Sequence, residues 1–359
     1  MYIVGIPREI KDYENRVSIV PSDIQRLLEN NSNIIIYVQT GAGEYAGYSD
    51  NEYTAKGAII LNNLEDIYEK ADIIVKVKEP QKREYPLITS RHTILSFFHF
   101  AGNNGLINAM LESKAKCYAY ETIQDDKGVY PILAPMSIIA GKKSMIEADN
   151  FITNSKKLRK NKYTIITIVG VGNAGRAAAE QAILLGYQNI NLIDNDYEKI
   201  KILEESNPTI YKAYKMTENN VRKLLIFSNI VISSIYNNGM KASRIINNEL
   251  LDLMSRTGSV IMDVAIDQGG TTSQSMPTTL YNPFIRYKNI SIYCVPNIPS
   301  TSPTEASIKL SNAIYPYLNS LLLNDNDNDN GNDNGNDNDN DNSKYVKELH
   351  RGLYVNFKI

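Results

Sequence analysis

The chain has 359 residues, 43% hydrophobic and 22% charged, a length that predicts two domains and a balance that belongs to a folded globular protein. A formal net charge of −2 leaves no basic field for nucleic acid or an anionic membrane surface. No run approaches the roughly 20 apolar residues of a membrane span, and the two cysteines, Cys117 and Cys294, stand apart without metal-ligand spacing, which predicts buried thiols and no metal site.

Tyr2 to Ile6 already reads as a buried strand, leaving no room for a presequence, so a cytoplasmic protein is expected. Further strands are predicted at Asn33–Val38, Asp72–Val77, Thr93–Phe98 and Ala115–Tyr120, with helical patterns at Pro21–Glu29 and Leu106–Ser113 between them. From Pro135 toward Lys162 a long helix gives way to the basic stretch Lys156-Lys157-Leu158-Arg159-Lys160. A second strand series follows at Tyr163–Val169, Asn189–Ile193, Asn229–Ser233, Gly258–Asp263 and Ser291–Val295. A helix over Glu305–Leu323 leads into Asn324–Asn342, a run of Asn, Asp and Gly alone that can bury nothing and is expected to be a disordered insertion, followed by a short tail from Ser343. Strand–helix alternation of this kind predicts an α/β fold of two Rossmann-like domains, each a parallel sheet flanked by helices, with a cleft between them. The expected boundaries are a first domain over 1–135, completed by 303–359, and a second over 136–302.

Gly170-Val171-Gly172-Asn173-Ala174-Gly175 carries the G-x-G-x-x-G spacing. Glycines recur in many turns, so the spacing alone is a weak signal. Here a strand precedes it and a small-residue helix, Arg176 to Ala182, continues it. Gly170 permits the tight turn, Gly172 lets backbone approach a pyrophosphate, and Gly175 lets helix pack on strand. The next strand ends in Asp194, where a carboxylate accepts ribose hydroxyls and repels a 2′-phosphate, which predicts NAD as the cofactor.

Three histidines occur, His92, His99 and His350. His99 follows the apolar run Ile94–Phe98, at a carboxyl strand end where α/β sheets place reactive groups, although a lone histidine is more often structural. Lys76 and Lys78 end another strand, and the period of two puts both on one face. Arg16 lies in a loop after the first strand and by itself says nothing.

Together these segments resemble the family of alanine dehydrogenase and the alpha subunit of proton-translocating nicotinamide nucleotide transhydrogenase. The resemblance rests on Gly5-Ile6-Pro7-Arg8-Glu9, Glu14-Asn15-Arg16-Val17, Lys76-Val77-Lys78-Glu79-Pro80, Tyr120-Glu121-Thr122, Ala134-Pro135-Met136-Ser137, the glycine turn, and Asp263-Val264-Ala265-Ile266-Asp267-Gln268-Gly269-Gly270. It implies that Arg16 and Lys78 hold the substrate carboxylate and polarise its carbonyl. It further implies His99 as general acid/base, Asp267 as the acid beside substrate and nicotinamide, and Ser137 and Asn297 as cofactor contacts. The implied reaction is NAD-dependent interconversion of L-alanine with pyruvate and ammonia, by a homohexamer. This sequence departs from the family pattern at Ile138, where an acidic residue is usual, at Lys142, in Ser155–Lys162 and in Thr304-Glu305-Ala306-Ser307. The alternatives are a saccharopine-type dehydrogenase that condenses an amino acid with a 2-oxo acid, and a non-catalytic NAD-binding protein.

Overall fold

Short runs rich in Ile and Val form the strands of the computed structural model of the chain, which describes residues 1–100, 103–155, 158, 160–235, 241–327 and 337–355. In chain order these are β1 (Tyr2–Ile6), α1 (Pro21–Asn30), β2 (Ile34–Gln39), α2 (Asp50–Ala55), β3 (Ile59–Leu61), α3 (Leu64–Lys70), β4 (Ile73–Lys78), β5 (Thr93–Phe97), α4 (Asn104–Ser113), β6 (Lys116–Ala119) and α5 (Leu133–Asn154). The series continues with β7 (Ile165–Val169), α6 (Asn173–Leu184), β8 (Asn189–Asp194), α7 (Tyr197–Ser206), β9 (Tyr211–Lys215), α8 (Glu218–Leu225), β10 (Ile230–Ser233), α9 (Asn248–Met254) and β11 (Ser259–Asp263). It closes with β12 (Phe284–Tyr287), β13 (Ile290–Tyr293), α10 (Pro303–Asp327), α11 (Asp337–Gly352) and β14 (Leu353–Val355). The chain divides into two compact units, Met1–Met136 with Ser300–Ile359, and Ser137–Pro299.

The sheet of the first unit runs β14-β6-β5-β4-β1-β2-β3, and that of the second β12-β13-β11-β10-β7-β8-β9. Strand pairs are parallel except at one edge of each sheet, where β14 runs against β6 and β12 against β13. In the second unit, alternate residues of one strand feed opposite layers, as the period of two requires. Ile230 and Ile232 join Ile166, Ile168, Val260 and Met262 in one core, while Val231 joins Val169 and Ile261 in another. The first unit has a comparable core around Ile74, Ile94, Phe98 and Cys117.

Side chains close several helix starts: Ser49 forms a capping box with Glu52 on α2, and Asn103, Asp196, Thr217 and Asn247 cap α4, α7, α8 and α9. The tail from Ser343 carries the greater part of α11 and the whole of β14. Of the Asn/Asp/Gly run, residues 324–327 end α10 and 337–342 begin α11, while 328–336 lie outside the described residues. Lys156, Lys157 and Arg159 of the basic stretch also lie outside them. No helix among the described residues is long and apolar enough to cross a membrane.

Candidate active site

In the first unit the loop after β1 carries Arg16, and the returning helix α10 with the turn before it holds that loop in place. Three serine hydroxyls, those of Ser300, Ser307 and Ser311, accept the backbone N–H groups of Asn15, Val17 and Val20 at 2.8, 3.0 and 3.1 Å. Ser307 and Ser311 are four residues apart on one helix and therefore face the same way. Within the loop, Glu14 accepts from Arg16 three times: Nε to Oε1 at 2.7 Å, Nη2 to Oε2 at 2.5 Å, and the peptide N–H at 3.0 Å. Both side chains are buried. Burial by itself pushes the Glu14 carboxyl up, but the charge and hydrogen bonds of Arg16, with Lys78 nearby, overcome it and hold the group below its usual range. The guanidinium plane of Arg16 is thus fixed before any ligand arrives.

Lys78 ends β4 and His99 follows β5, and the structure brings them together, Nζ to Nε2, at 3.3 Å. With Lys78 as an ammonium, which can only donate, Nε2 is the acceptor in this contact. His99 has φ +48°, in the left-handed region that turns the chain sharply at the strand end. Glu121 stabilises the turn by accepting the N–H groups of Phe98 and His99 at 3.2 and 2.6 Å. The imidazole stacks on Phe97 with 6.0 Å between centroids. Burial raises the Glu121 carboxyl, against the pull of the backbone N–H groups and Lys78. His92 is the structural counterexample: it is buried, accepts from the Thr89 N–H at 2.8 Å and lies 2.8 Å from the Tyr68 carbonyl.

The expectation that Lys76 and Lys78 share one face needs correction. The β4–β5 register shifts between Val75 and Lys78, because three steps on β4 match two on β5, and such a bulge breaks the alternation. The two lysines accordingly meet different partners: Lys76 lies 2.8 Å from Glu84 and 3.5 Å from Glu9, and Lys78 meets His99.

In the second unit the glycine turn lies between β7 and α6. Gly170 has φ +84°, and a Cβ there would lie 2.8 Å from the Ser234 carbonyl oxygen. A Cβ on Gly175 would lie 2.0 Å from the Gly170 carbonyl oxygen, while one on Gly172 would meet nothing within 4 Å among the described residues beyond its chain neighbours. Each glycine therefore has a separate reason: conformation, close packing, and open space at the start of α6. Asp194, at the end of β8, accepts the Val171 N–H at 2.5 Å and the Asp196 N–H at 3.0 Å, so it also braces the turn. Gly141 of α5 packs its backbone on Ala174, where a Cβ would lie 1.9 Å from a carbonyl oxygen. Ser137, one helical turn earlier on α5, shares that face.

Asp267 lies just beyond β11 and Asn297 beyond β13, and these two meet: Asp267 Oδ2 accepts the Asn297 N–H at 3.2 Å. Asn297 has φ +58°. Beneath them Asp263 is fully buried and accepts the Thr271 N–H at 2.7 Å and the Ser275 hydroxyl at 2.5 Å, closing the loop that bears Asp267. Glu9, Glu14, Glu121 and Asp263 carry no role in the sequence reading. The available signal was that each lies in a segment that carries the resemblance. A dinucleotide fits this unit: the backbone at Gly172 is open, α6 presents its N-terminus, and Asp194 lies at the neighbouring strand end.

Comparison with known proteins identifies the family. Residues 5–140 match the model of the alanine dehydrogenase/PNT N-terminal domain, and residues 151–339 that of the C-terminal domain. The chain is 31% identical over 326 residues to alanine dehydrogenase of Halomonas elongata, covering 89% of this chain and 87% of that one. It is likewise 31% identical over 331 residues, with the same coverage, to alanine dehydrogenase of Mycolicibacterium smegmatis. A solved L-alanine dehydrogenase superposes with a TM-score of 0.84 at 28% identity, covering 98% of this chain and 95% of the other. A transhydrogenase from Sinorhizobium meliloti shares the fold, with a TM-score of 0.75 at 21% identity over 89% of this chain and 94% of that one. The chain belongs to the alanine dehydrogenase/PNT family.

Proposed function

We propose that this chain is an NAD-dependent alanine dehydrogenase, converting L-alanine, NAD+ and water reversibly to pyruvate, ammonium, NADH and a proton. The observation that carries the reading is the pair of Lys78 and His99 at 3.3 Å on adjacent strand ends, with Lys78 near enough to act on the buried glutamate that orients Arg16. A non-catalytic nucleotide-binding protein has no use for that arrangement.

Arg16 pins the substrate carboxylate and thereby sets the α-carbon, and Glu14 spares it the cost of ordering its guanidinium. The nicotinamide, when bound, supplies the hydride acceptor for oxidation or the hydride donor for reduction. His99 takes a proton from the water that adds to the substrate imine as the new C–O bond forms. It returns a proton to nitrogen as the C–N bond of the carbinolamine breaks and ammonia leaves. The Lys78 ammonium stabilises negative charge that develops on the same oxygen. Gly170, Gly172 and Gly175 admit the pyrophosphate, Asp194 takes the ribose hydroxyls, Ser137 and Asn297 contact the cofactor, and Asp267 is the acid beside the nicotinamide. The same reading makes the protein a cytoplasmic homohexamer.

NADH oxidation with pyruvate plus ammonium tests the proposal. Activity only when lysine or ornithine replaces ammonium would favour the condensing dehydrogenase, and no activity with either would favour the non-catalytic alternative. Asp194→Ser should weaken NAD binding about tenfold (~1.4 kcal/mol) and narrow the gap to NADP. Tighter binding of NADP than NAD by the unmodified protein would remove the role given to Asp194.

A further inference from the structure

The strand that presents Lys78 is incompletely paired where it matters. β1 meets β4 through Val4 with Ile73 and Gly5 with Ile74, and β5 skips from Val75 to Lys78. Val77 falls in the gap, and its N–H is accepted by Glu9 Oε1 at 2.6 Å. Glu9 reaches it from three residues beyond β1, with its side chain only 5% exposed and Oε2 3.5 Å from Lys76 Nζ.

Neutralising Lys76 does not account for this carboxylate. Glu84 is fully buried and already lies 2.8 Å from the same ammonium. A second acid in a buried site adds an unbalanced charge, which costs free energy unless it makes another bond. The surroundings confirm the cost: burial, only partly offset by Lys76 and reinforced by Glu14 and Glu84, pushes Glu9 up to about 7. Tyr68 and Tyr120 also face it, and the Tyr120 hydroxyl is buried without a hydrogen-bond partner among the described residues. What Glu9 gains in return is the bond to Val77.

We infer that Glu9 is a positioning residue for Lys78: its carboxylate stands in for the strand partner missing at Val77 and so fixes the direction in which the end of β4 presents the lysine. The inference rests on the role given to Lys78 above. Two variants separate positioning from charge balance. Glu9→Gln keeps the reach and a carbonyl acceptor but loses the charge; Glu9→Asp keeps the charge but is one methylene short. Positioning predicts that Gln behaves like wild type, while Asp lowers kcat about 10- to 100-fold, the scale of a misplaced reacting group, without changing NADH affinity. Amide hydrogen exchange at Val77 should quicken in Asp and not in Gln. The reverse order, with Gln impaired and Asp normal, assigns Glu9 to charge balance and overturns the inference, as does wild-type behaviour in both. Should the unmodified protein fail to turn over alanine, the functional reading falls, and Val77 exchange in the two variants still decides whether Glu9 holds β4.

Discussion

At the strand ends of the first unit Glu14, Arg16, Lys76, Lys78, Glu84 and Glu121 are all buried, and each is answered by an opposite charge, a polar side chain or a row of N–H groups. At those of the second unit the decisive positions are glycines, and the acids Asp194, Asp263 and Asp267 each accept a backbone N–H. The first region gains its specificity from side chains held rigid by charge; the second gains it from the absence of side chains. A small substrate offers few atoms and must be gripped by charge and oriented at one carbon. A dinucleotide phosphate is met by many weak backbone donors, which need room more than charge. Defects should therefore differ in kind between the regions: lost turnover in one, lost fit in the other.

The largest effect should come from His99→Ala, which removes the proton carrier proposed above and its contact with Lys78. Turnover is expected to fall by roughly two to four orders of magnitude, the usual contribution of a general acid/base. NADH affinity, read by fluorescence titration, should stay near wild type because the glycine turn lies in the other unit. Retained activity would return His99 to the structural class that His92 occupies.

Two glycine variants probe the second region with smaller effects. Gly175→Ala drives a Cβ to 2.0 Å from the Gly170 carbonyl oxygen, and backbone cannot yield as a flexible side chain does. It should cost about 1–3 kcal/mol of stability, seen in chemical denaturation, together with cofactor binding. Gly172→Ala meets no atom within 4 Å among the described residues beyond its chain neighbours, so stability should be unchanged while NADH binding weakens about tenfold. A Gly172 variant that destabilises the chain, or binds NADH normally, would break the distinction between the two glycines.

The two regions were also unequally legible from sequence. The glycine turn could be read because each glycine's reason is local: a turn, a contact with the next helix, an open face. Asp194 could be placed from its spacing, although its hydrogen bond to the Val171 N–H could not be foreseen. Many contacts that hold the buried groups of the first unit join residues far apart in the chain, up to 291 residues for Val20 and Ser311. Lys76 needs Glu9 and Glu84, and the Arg16 loop needs Ser300, Ser307 and Ser311. The bulge in β4 was hidden for the same reason, since alternation is visible in one strand but register belongs to two. The edge strands β3, β9 and β12 are partly exposed and lack the buried apolar run that marks inner strands such as β10 and β11. Helix α11 was obscured because its first turns fall in the Asn/Asp run, whose composition argues against any helix.

The smallest expected effect tests whether the buried charge of the first region costs stability. Glu9 is pushed up to about 7 from its ordinary 4.5 by burial, opposed by Lys76 and reinforced by Glu14 and Glu84. A carboxyl whose folded value lies above its unfolded value binds protons more tightly in the native state. Its contribution is therefore fully present below about 4.5 and is lost as pH rises through about 7. Glu9→Gln cannot ionise and should lose that slope. Glu121 and Asp263, also raised by burial, and Glu14, held low by Arg16, titrate in both proteins, so the difference between the two stability curves isolates Glu9. Urea denaturation at intervals from pH 5 to pH 8 should find the variant gaining on wild type as pH rises, by up to a few kcal/mol on a scale of about 1.4 kcal/mol for each unit of pKa difference. Parallel curves would mean that Lys76 and the Val77 N–H fully compensate the charge, and the first region would then hold its buried acids at no cost in stability.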